Sequence, residues 1–283
     1  MSSILTNYGA MVALQTLNAV NDEMLDTQTS ISTGKEVASA KDDAAKWSIS
    51  KTMESDIVGF EGVEENIAMA EATVSVASAG AEMIVEKMTE IKELLVSASA
   101  ENVDHGKIQN EITNKAEQID EIINTASFNG INLLQDDVNG AGDSSIDVLI
   151  SMERTGPGGT PTATTLTVNS AGIEDAAGYA TSFASLATDA ATARTSLDNF
   201  EATLSGMIDA TTALGATAAR LDDQSDFVST LIDAMTLGIS TMVDTNMEEA
   251  SARLNALETQ QELAVQSLGI ANDAPSSLMQ LFR

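Results

Sequence analysis

Apolar or small residues recur every three or four positions along two long stretches of the chain. The first series begins at Phe60 and ends at Ala98, and the second begins at Leu186 and ends at Met242. Alternating steps of three and four residues give a period of 3.5, which is typical of helices that wind around one another. At about 1.5 Å per residue, these helices are roughly 58 and 85 Å long. Such helices pack side by side rather than enclose a pocket, so the pattern predicts a structural role.

Two shorter seams lie near the ends of the chain. The first occupies residues 10–31 and stops at Gly34, since glycine readily adopts the left-handed conformation that closes a helix. The second begins at Val243, after the long seam changes register near Ile239, and ends at Leu268. The chain therefore predicts a mainly α fold, a long-helix coiled-coil bundle in which the N- and C-terminal helices are paired.

The segments between the seams complete the helical organisation. Residues 35–41 are polar and predict a non-helical connector, after which Asp42 and Asp43 lie where acids favour a helix N-terminus. A third helix is expected from Ile108 to Ala126, where an Asn-Gly turn follows. The fourth helix is expected to span roughly 176–242.

A small β region interrupts the helices. Residues 146–152 and 164–168 alternate as strands do, and the loop 156–161 between them is rich in Gly and Pro. One hairpin is too small to be an independent domain. We therefore expect the hairpin to lie against the long helices.

The two terminal seams are poor in large side chains. The apolar surface that they can bury is too small to offset the entropy of ordering so many residues. We therefore expect both ends to be largely disordered in the monomer and to fold when neighbouring molecules supply a surface.

Composition narrows the classes of partner. The 43 acids and 13 bases give a net charge of −30, and no Lys/Arg cluster could follow a phosphate backbone, so nucleic acid is not an expected partner. Aromatic residues make up only 3% of the chain, which suits thin helix–helix seams.

Cysteine is absent, which excludes disulfides and thiolate metal sites. No apolar run approaches 18 residues, so we expect no membrane span. The N-terminus lacks a basic start and an apolar core, so any export is expected to use no cleaved signal peptide.

The sequence contains no constellation that predicts catalysis or a cofactor. The single histidine, His105, cannot form a His-pair metal site and is expected in a solvated turn. Asp136, Asp137 and Asp143 lack the spacing and the terminal Glu of a calcium-binding EF-hand. We therefore predict neither an enzyme nor a metal or cofactor site.

Several segments at the two ends are similar to those of bacterial flagellins, and their order along the chain is specific to that family. The resemblance covers about residues 1–135 and 175–283, and one departure is Lys46-Trp47-Ser48, where Trp47 either seals a subunit contact or anchors the core. The matching residues are Ile4, Thr6, Asn7 and Leu14, then Ile31-Ser32-Thr33-Gly34, Ser39-Ala40-Lys41-Asp42-Asp43-Ala44-Ala45, Phe128-Asn129-Gly130-Ile131-Asn132-Leu133-Leu134, Ile270-Ala271-Asn272 and Leu278-Met279-Gln280-Leu281-Phe282-Arg283.

The resemblance implies a domain organisation. Residues 1–34 and 243–283 would form a terminal coiled-coil domain that lines the inner tube of a filament, and residues 35–41 would be the connector. A long-helix outer-tube domain would comprise 42–138 and 173–242, and a hairpin cap at 139–172 would replace the larger outer domains of other flagellins.

The resemblance also implies a function and partners. The chain would be a structural subunit that polymerises into the extracellular flagellar filament for swimming motility; the alternative is a hook–filament junction protein. An enzyme-bearing or adhesive variant would need an inserted domain, for which 139–172 has no room. Expected partners are further copies of the chain, other flagellins, flagellar cap and junction proteins, an export chaperone and the type III export apparatus.

Two sets of residues carry these expectations. The set expected to direct filament assembly is Leu14, Leu17, Val20, Met24, Ile31, Leu254, Leu257, Ala264, Leu268, Leu281 and Phe282. The segment that matches the innate-immune receptor site of many flagellins is Met88, Thr89, Glu90, Ile91, Lys92, Glu93 and Leu94. Because Glu90 offers a carboxylate where the family pattern has a guanidinium, we expect only weak activation of the Toll-like flagellin receptor.

Overall fold

Helices account for most of the chain. The computed structural model describes residues 6–154, 156, 159–175 and 177–281, with the backbone alone for 275–281. The helices and strands, in order, are α1 (Tyr8–Thr33), α2 (Ala44–Ala98), α3 (His105–Thr125), β1 (Ser145–Arg154), β2 (Pro161–Asn169), α4 (Tyr179–Ser182), α5 (Ala190–Val243) and α6 (Met247–Leu281). Long helices with a small antiparallel hairpin are the predicted fold class, which is confirmed.

The described chain forms two compact units. The first contains the residues up to Ile57 and those from Ala234 onward, and the second contains Val58–Asp233. Helices α2 and α5 each contribute to both units. The functional boundaries inferred from the sequence stay a prediction.

The first 3.5-residue series forms the core of the second unit. Every position of the series from Phe60 to Ala98 is buried on α2, and Val63, Ile84 and Leu95 have no exposed surface. Along α5 the series is buried at Phe200, Leu204, Met207, Leu214, Leu221 and Val228. The period read from the sequence therefore identifies the buried stripe of both helices, as expected for a coiled-coil seam.

Helix α3 and the turn after it cover one end of this seam. The carboxylate of Asp104 accepts a hydrogen bond from the backbone N–H of Lys107 and caps the helix. Asn132 then joins the turn to α3, because its side chain donates to the carbonyl of Ile123 at 2.6 Å and accepts from the N–H of Leu134 at 3.0 Å. Gly80 of α2 is the close-approach point, where an added Cβ would lie 3.0 Å from Leu134 Cδ1.

The expected fourth helix is interrupted, which corrects the prediction of one helix over 176–242. Residue 176 lies outside the described residues, Tyr179–Ser182 forms a single turn, and the next helix begins only at Ala190. Two acids impose the break. Asp120 of α3 accepts from the N–H of Tyr179 at 2.7 Å, and Asp189 accepts from the N–H of Thr192 at 2.8 Å. The second contact caps the following helix, and the hydrogen bonds from Thr192 hold the pKa of Asp189 below its usual value.

The hairpin lies on the long helices of the second unit, as expected. Strands β1 and β2 are antiparallel, Val148 is opposite Leu166, and the register shifts at residue 150. At this bulge the carbonyl of Ile150 accepts a hydrogen bond from Gln224 of α5 at 3.0 Å. The side chain of Met152 occupies the space that a Cβ at Gly59 of α2 would fill.

Candidate interaction surface

Helices α1 and α6 pair along their length in the first unit, as the sequence predicted. Polar contacts join the pair at the start of α1 and near its middle: the amide of Asn7 donates to the carbonyl of Ala271 at 2.7 Å, and Gln261 donates to Asn21 at 2.7 Å. Asn7 also caps α1 through the N–H of Ala10. These side chains fix the register of the two helices.

The pair buries few of its apolar side chains. Of the residues expected to direct assembly, Val20, Leu257 and Ala264 are buried, and Leu14 is 48% exposed. Leu17, Met24, Ile31, Leu254 and Leu268 are half-buried. The backbone of Leu281 is helical but its side chain lies outside the described atoms, as does the whole of Phe282.

Large apolar side chains line the outer surface of the pair. The exposed ones are Tyr8, Met11, Val12, Leu14 and Leu25 on α1, and Met247, Leu263, Val265 and Ile270 on α6, each of them 44–79% exposed. A groove of about 390 Å³ follows the seam between the helices. It is lined by Gly9, Val12, Ala13, Thr16, Val20, Gln260, Leu263, Ala264 and Ser267. An apolar surface of this extent is typical of a protein–protein contact.

The predicted connector is non-helical and joins the junction between α5 and α6. Helix α1 ends at Gly34, whose φ of +70° is the left-handed conformation expected there. The N–H groups of Glu36 and Val37 donate to the carbonyl of Val243 at 2.7 and 3.3 Å. The N–H of Thr245 donates to the carbonyl of Gly34. Because α5 also ends at Val243, the register change predicted near Ile239 corresponds to a real break between two helices.

Two neighbouring carboxylates organise the end of the connector. Asp42 accepts hydrogen bonds from the backbone N–H groups of Ser39 and Ala38. These bonds, together with the positive charge of Lys41, hold the pKa of Asp42 below its usual value. Asp43 accepts from the N–H groups of Ala45 and Lys46 at 3.0 Å and caps α2. The Asp-Asp pair that the sequence assigned to a helix start therefore satisfies four backbone donors. Both carboxylates are directed toward the backbone.

A second groove near this junction is acidic. Its volume is about 410 Å³, and its charged lining residues are Glu23, Asp26, Glu36, Glu249 and Arg253. Arg253 contacts Glu23 at 2.9 Å. Among the described residues, no ion pair joins the other three carboxylates to a base.

The segment similar to the immune-receptor site is partly a core segment. Met88 and Ile91 are fully buried, Leu94 is half-buried, Glu93 is exposed, and Lys92 contacts Glu201 of α5 at 2.5 Å. Glu90 is bound by two lysines, Lys115 of α3 at 2.5 Å and Lys87 at 3.0 Å. Hydrogen bonds from Lys115 and then from Lys87 lower the pKa of Glu90. The sequence did not reveal the Lys115 contact, because the two residues are separated along the chain and meet only when α3 packs on α2.

Two other expectations concern single side chains. His105 was expected in a solvated turn, but it begins α3, is half-buried, and its Nδ1 is buried without a hydrogen-bond partner among the described residues. The turn ends one residue earlier because Asp104 caps the helix there. Trp47 is half-buried in the first unit, and its role in a subunit contact or in the core stays a prediction.

No metal cluster is present among the described residues. In that part of the chain, no group of three or more His, Cys, Asp or Glu side chains could hold a metal ion.

Helices α2 and α5 each contain an 18-residue window with a mean hydropathy of 1.2, which is long and apolar enough to cross a membrane. Scattered charges interrupt both windows, so the sequence shows no uninterrupted apolar run of that length. Core helices of water-soluble proteins have the same composition, so the windows alone do not identify membrane spans.

Comparisons with known proteins agree over both ends of the chain. The family model of the bacterial flagellin N-terminal helical region matches residues 4–139, and that of the C-terminal helical region matches 197–282. A flagellin from Brucella melitensis is 36% identical over 290 residues and the match covers the whole of both chains. Flagellin FljK from Caulobacter vibrioides is 31% identical, with all of this chain and 99% of that protein covered.

A solved structure supports the same fold. The structure of a protein described as a flagellar hook-associated protein from Vibrio parahaemolyticus is similar with a TM-score of 0.51, and the match covers 72% of this chain and all of that one. The two sequences are only 15% identical. The similarity therefore concerns the helical fold and says nothing of the role.

Proposed function

The chain belongs to the bacterial flagellin family, and from this premise we propose that the paired helices α1 and α6 form the main surface through which its copies assemble. It is a structural subunit that polymerises with itself into the extracellular flagellar filament used for swimming motility. Nothing in the structure or in its relatives favours the alternative of a hook–filament junction protein.

The exposed apolar surface of α1 and α6 is the observation that carries this assignment. Leu14 and Leu263 expose 48% and 59% of their surface. An isolated subunit loses stability by hydrating such side chains, and a neighbouring copy could cover them. In the filament we assign this helix pair to the inner tube, the segment 35–41 to the connector, and residues 42–138 and 173–242 to the outer tube, with 139–172 as the cap.

The burial of individual side chains also supports the set of assembly residues. Val20, Leu257 and Ala264 hold the two helices together within one copy. Leu14, Leu17, Met24, Ile31, Leu254 and Leu268 retain apolar surface that a neighbour can bury, and Leu281 and Phe282 would extend the surface. We assign no catalytic role to any of them.

We propose further partners for the chain. They are other flagellins, flagellar cap and junction proteins, an export chaperone and the type III export apparatus. The immune-receptor segment stays a prediction of weak activation. Lys87 and Lys115 form ion pairs with Glu90 within the subunit. Neither lysine is therefore a free cation that a receptor could bind at this segment. Strong receptor signalling at picomolar protein would overturn this prediction.

Assembly through α1 and α6 is tested by the double variant Leu14→Ser/Leu263→Ser. Burying the exposed half of each leucine is worth about 1 kcal/mol. The critical concentration for seeded polymerisation should therefore rise about 30-fold, since each 1.4 kcal/mol is a factor of ten. The measurement is sedimentation of filaments over a range of protein concentrations.

The matched control is Gln15→Ser/Gln266→Ser, which alters exposed polar neighbours on the same two helices. Its critical concentration should stay within about twofold of the wild type. Circular dichroism should show the same helix content in all three proteins. Unchanged polymerisation of the leucine variant would contradict the assignment.

A further inference from the structure

Several bases of this acidic chain have a carboxylate partner within the same molecule. The chain has 13 bases against 43 acids, so partners are plentiful. The ion pairs in the described part of the chain include Lys51–Glu54, Lys87–Glu90, Lys92–Glu201, Lys107–Asp104, Lys115–Glu90 and Arg253–Glu23. The bases outside these pairs can therefore be compared by their position and exposure.

Three lysines without an ion pair cluster at the connector. Lys35, Lys41 and Lys46 lie within twelve residues, and none contacts a carboxylate within 4.0 Å among the described residues. Lys35 is half-buried, whereas Lys41 and Lys46 are exposed. The cluster is small in absolute terms, but it is the densest group of unpaired bases that the structure describes.

The nearby carboxylates are directed elsewhere. The carboxylate of Asp42 accepts from the N–H groups of Ala38 and Ser39, and Asp43 accepts from the N–H of Lys46 rather than from its side chain. These contacts form the turn and the cap, so the acids cannot turn toward the ammonium groups without breaking them. Lys41 and Lys46 are exposed, and the charge of Lys41 attracts Asp42 without an ion-pair contact.

An exposed apolar side chain adjoins this pair of lysines. Ile49 of α2 is 52% exposed and follows Lys46 by three residues, so the two side chains lie on the same face of the helix. An exposed isoleucine beside an unpaired cation is a combination that a protein surface can cover and neutralise together.

We propose that Lys41 and Lys46 bind carboxylates on the surface of a neighbouring copy of this chain, and this contact rests on the proposed function as a filament subunit. Each copy carries a charge of −30, so polymerisation brings like charges together and is opposed by their repulsion. A contact between cations of one copy and acids of the next offsets part of that repulsion. Such a contact is heterologous, with different surfaces on the two copies, which is the kind that generates open helical polymers.

The charge distribution favours a second copy over other acidic partners. A cluster of two exposed lysines is too small to follow a nucleic acid backbone, and an anionic membrane would repel the rest of the chain. Every copy also supplies acceptors, since Asp26, Glu36 and Glu249 line an open groove of the first unit without an ion pair among the described residues.

The test compares seeded polymerisation of Lys41→Gln/Lys46→Gln with that of the wild type. At about 50 mM NaCl, where electrostatic interactions extend beyond 10 Å, we expect the critical concentration to rise about three- to tenfold, as for the loss of two exposed ion pairs. At about 0.5 M NaCl the difference should shrink to less than about twofold, because both the attraction and the repulsion are screened. The variant Lys41→Arg/Lys46→Arg, which keeps both charges, should polymerise within about twofold of the wild type.

The matched control for net charge is Asn110→Asp/Gln118→Glu on exposed positions of α3, which makes the chain more negative by the same two charges. It should raise the critical concentration by less than about twofold at low salt. If the control and the lysine variant behave alike, only the total charge matters and the contact does not exist. If the wild type itself forms no filaments from seeds, the proposed function fails instead.

Discussion

Glu71 is a carboxylate that the folded second unit holds in an unfavourable place. It lies on α2 at a groove of about 510 Å³ whose other lining residues are mainly small, and Asp222 of α5 lines the same groove. Its Oε1 atom is buried and has no hydrogen-bond partner among the described residues. Burial raises the pKa of Glu71, and the negative charges of Asp222 and Asp226 raise it further.

We expect the substitution Glu71→Gln to stabilise this unit at neutral pH. It removes the charge that Asp222 and Asp226 repel and keeps nearly the same side-chain shape. The desolvation of one carboxylate oxygen and the repulsion of a partly exposed pair together amount to about 1 kcal/mol. For a unit of this size, the thermal midpoint should rise by about 2–4 °C.

The pH dependence gives the sign of the effect. Because the pKa of Glu71 is raised by folding, its protonation stabilises the folded state; that contribution is fully present below the ordinary pKa of glutamate and is lost as the pH rises through the folded-state pKa. The advantage of Glu71→Gln should therefore be largest at pH 7 and disappear by about pH 4. Salt at about 0.5 M should reduce the part due to the aspartates but not the part due to burial.

The assay is thermal unfolding followed by circular dichroism between pH 4 and 7, with Glu65→Gln as the control. Glu65 lies on the same helix and is exposed, so the control makes the same change in net charge without the groove. Its midpoint should move by less than 1 °C, an estimate for a surface change. Equal pH profiles for wild type and Glu71→Gln, or a lower midpoint for the variant at pH 7, would show that the charge of Glu71 does not destabilise the folded unit.

Three further outcomes follow from the geometry. Gly80→Ala should destabilise the protein by about 1 kcal/mol, because the added methyl group strains a packed core. At Gly62 an added Cβ meets no atom within 4 Å, so Gly62→Ala should stabilise the protein by about 0.5–1 kcal/mol. Chemical unfolding measures both changes in stability. Glu90→Arg should lower the thermal midpoint because it places three cations together, and adding Lys115→Glu should restore it; a double variant no more stable than the single one would contradict the ion-pair network. Hydrogen exchange of the monomer should be fast along α1 and α6 and slow in the filament, and slow exchange throughout both helices of the monomer would show that they fold alone.

The sequence was sufficient for those features that depend on local spacing. The series from Phe60 to Ala98 identifies the buried face of α2 because a single period describes both the sequence and the packing. Gly34 and the Asn129-Gly130 turn were identifiable because their backbone requires positive φ values, which are +70°, +51° and +83°. Periodicity and turn chemistry are therefore reliable where one helix face is buried along its whole length.

Features that depend on distant contacts were missed. Leu186 fits the 3.5-residue series, yet it precedes α5 because Asp189 caps that helix and Asp120 anchors the turn before it. The period alone cannot detect such a break, since a side chain in a turn can fit the same spacing. The Glu90–Lys115 pair was invisible for a related reason, because it joins two helices whose relative register no local pattern specifies.

The difference between pattern and burial supports the proposal that α1 and α6 supply association free energy. Along α2 the apolar series is buried within one copy from Phe60 to Ala98, whereas along α5 burial fades after Val228, and Ile232 and Met235 are only half-buried. In α1 and α6 most of the large apolar side chains stay exposed. A spacing kept without matching burial implies a surface that is completed by other molecules. For a subunit of a polymer, the apolar pattern of the sequence describes the assembled state, and the side chains left exposed in a single copy are those that a neighbour must cover.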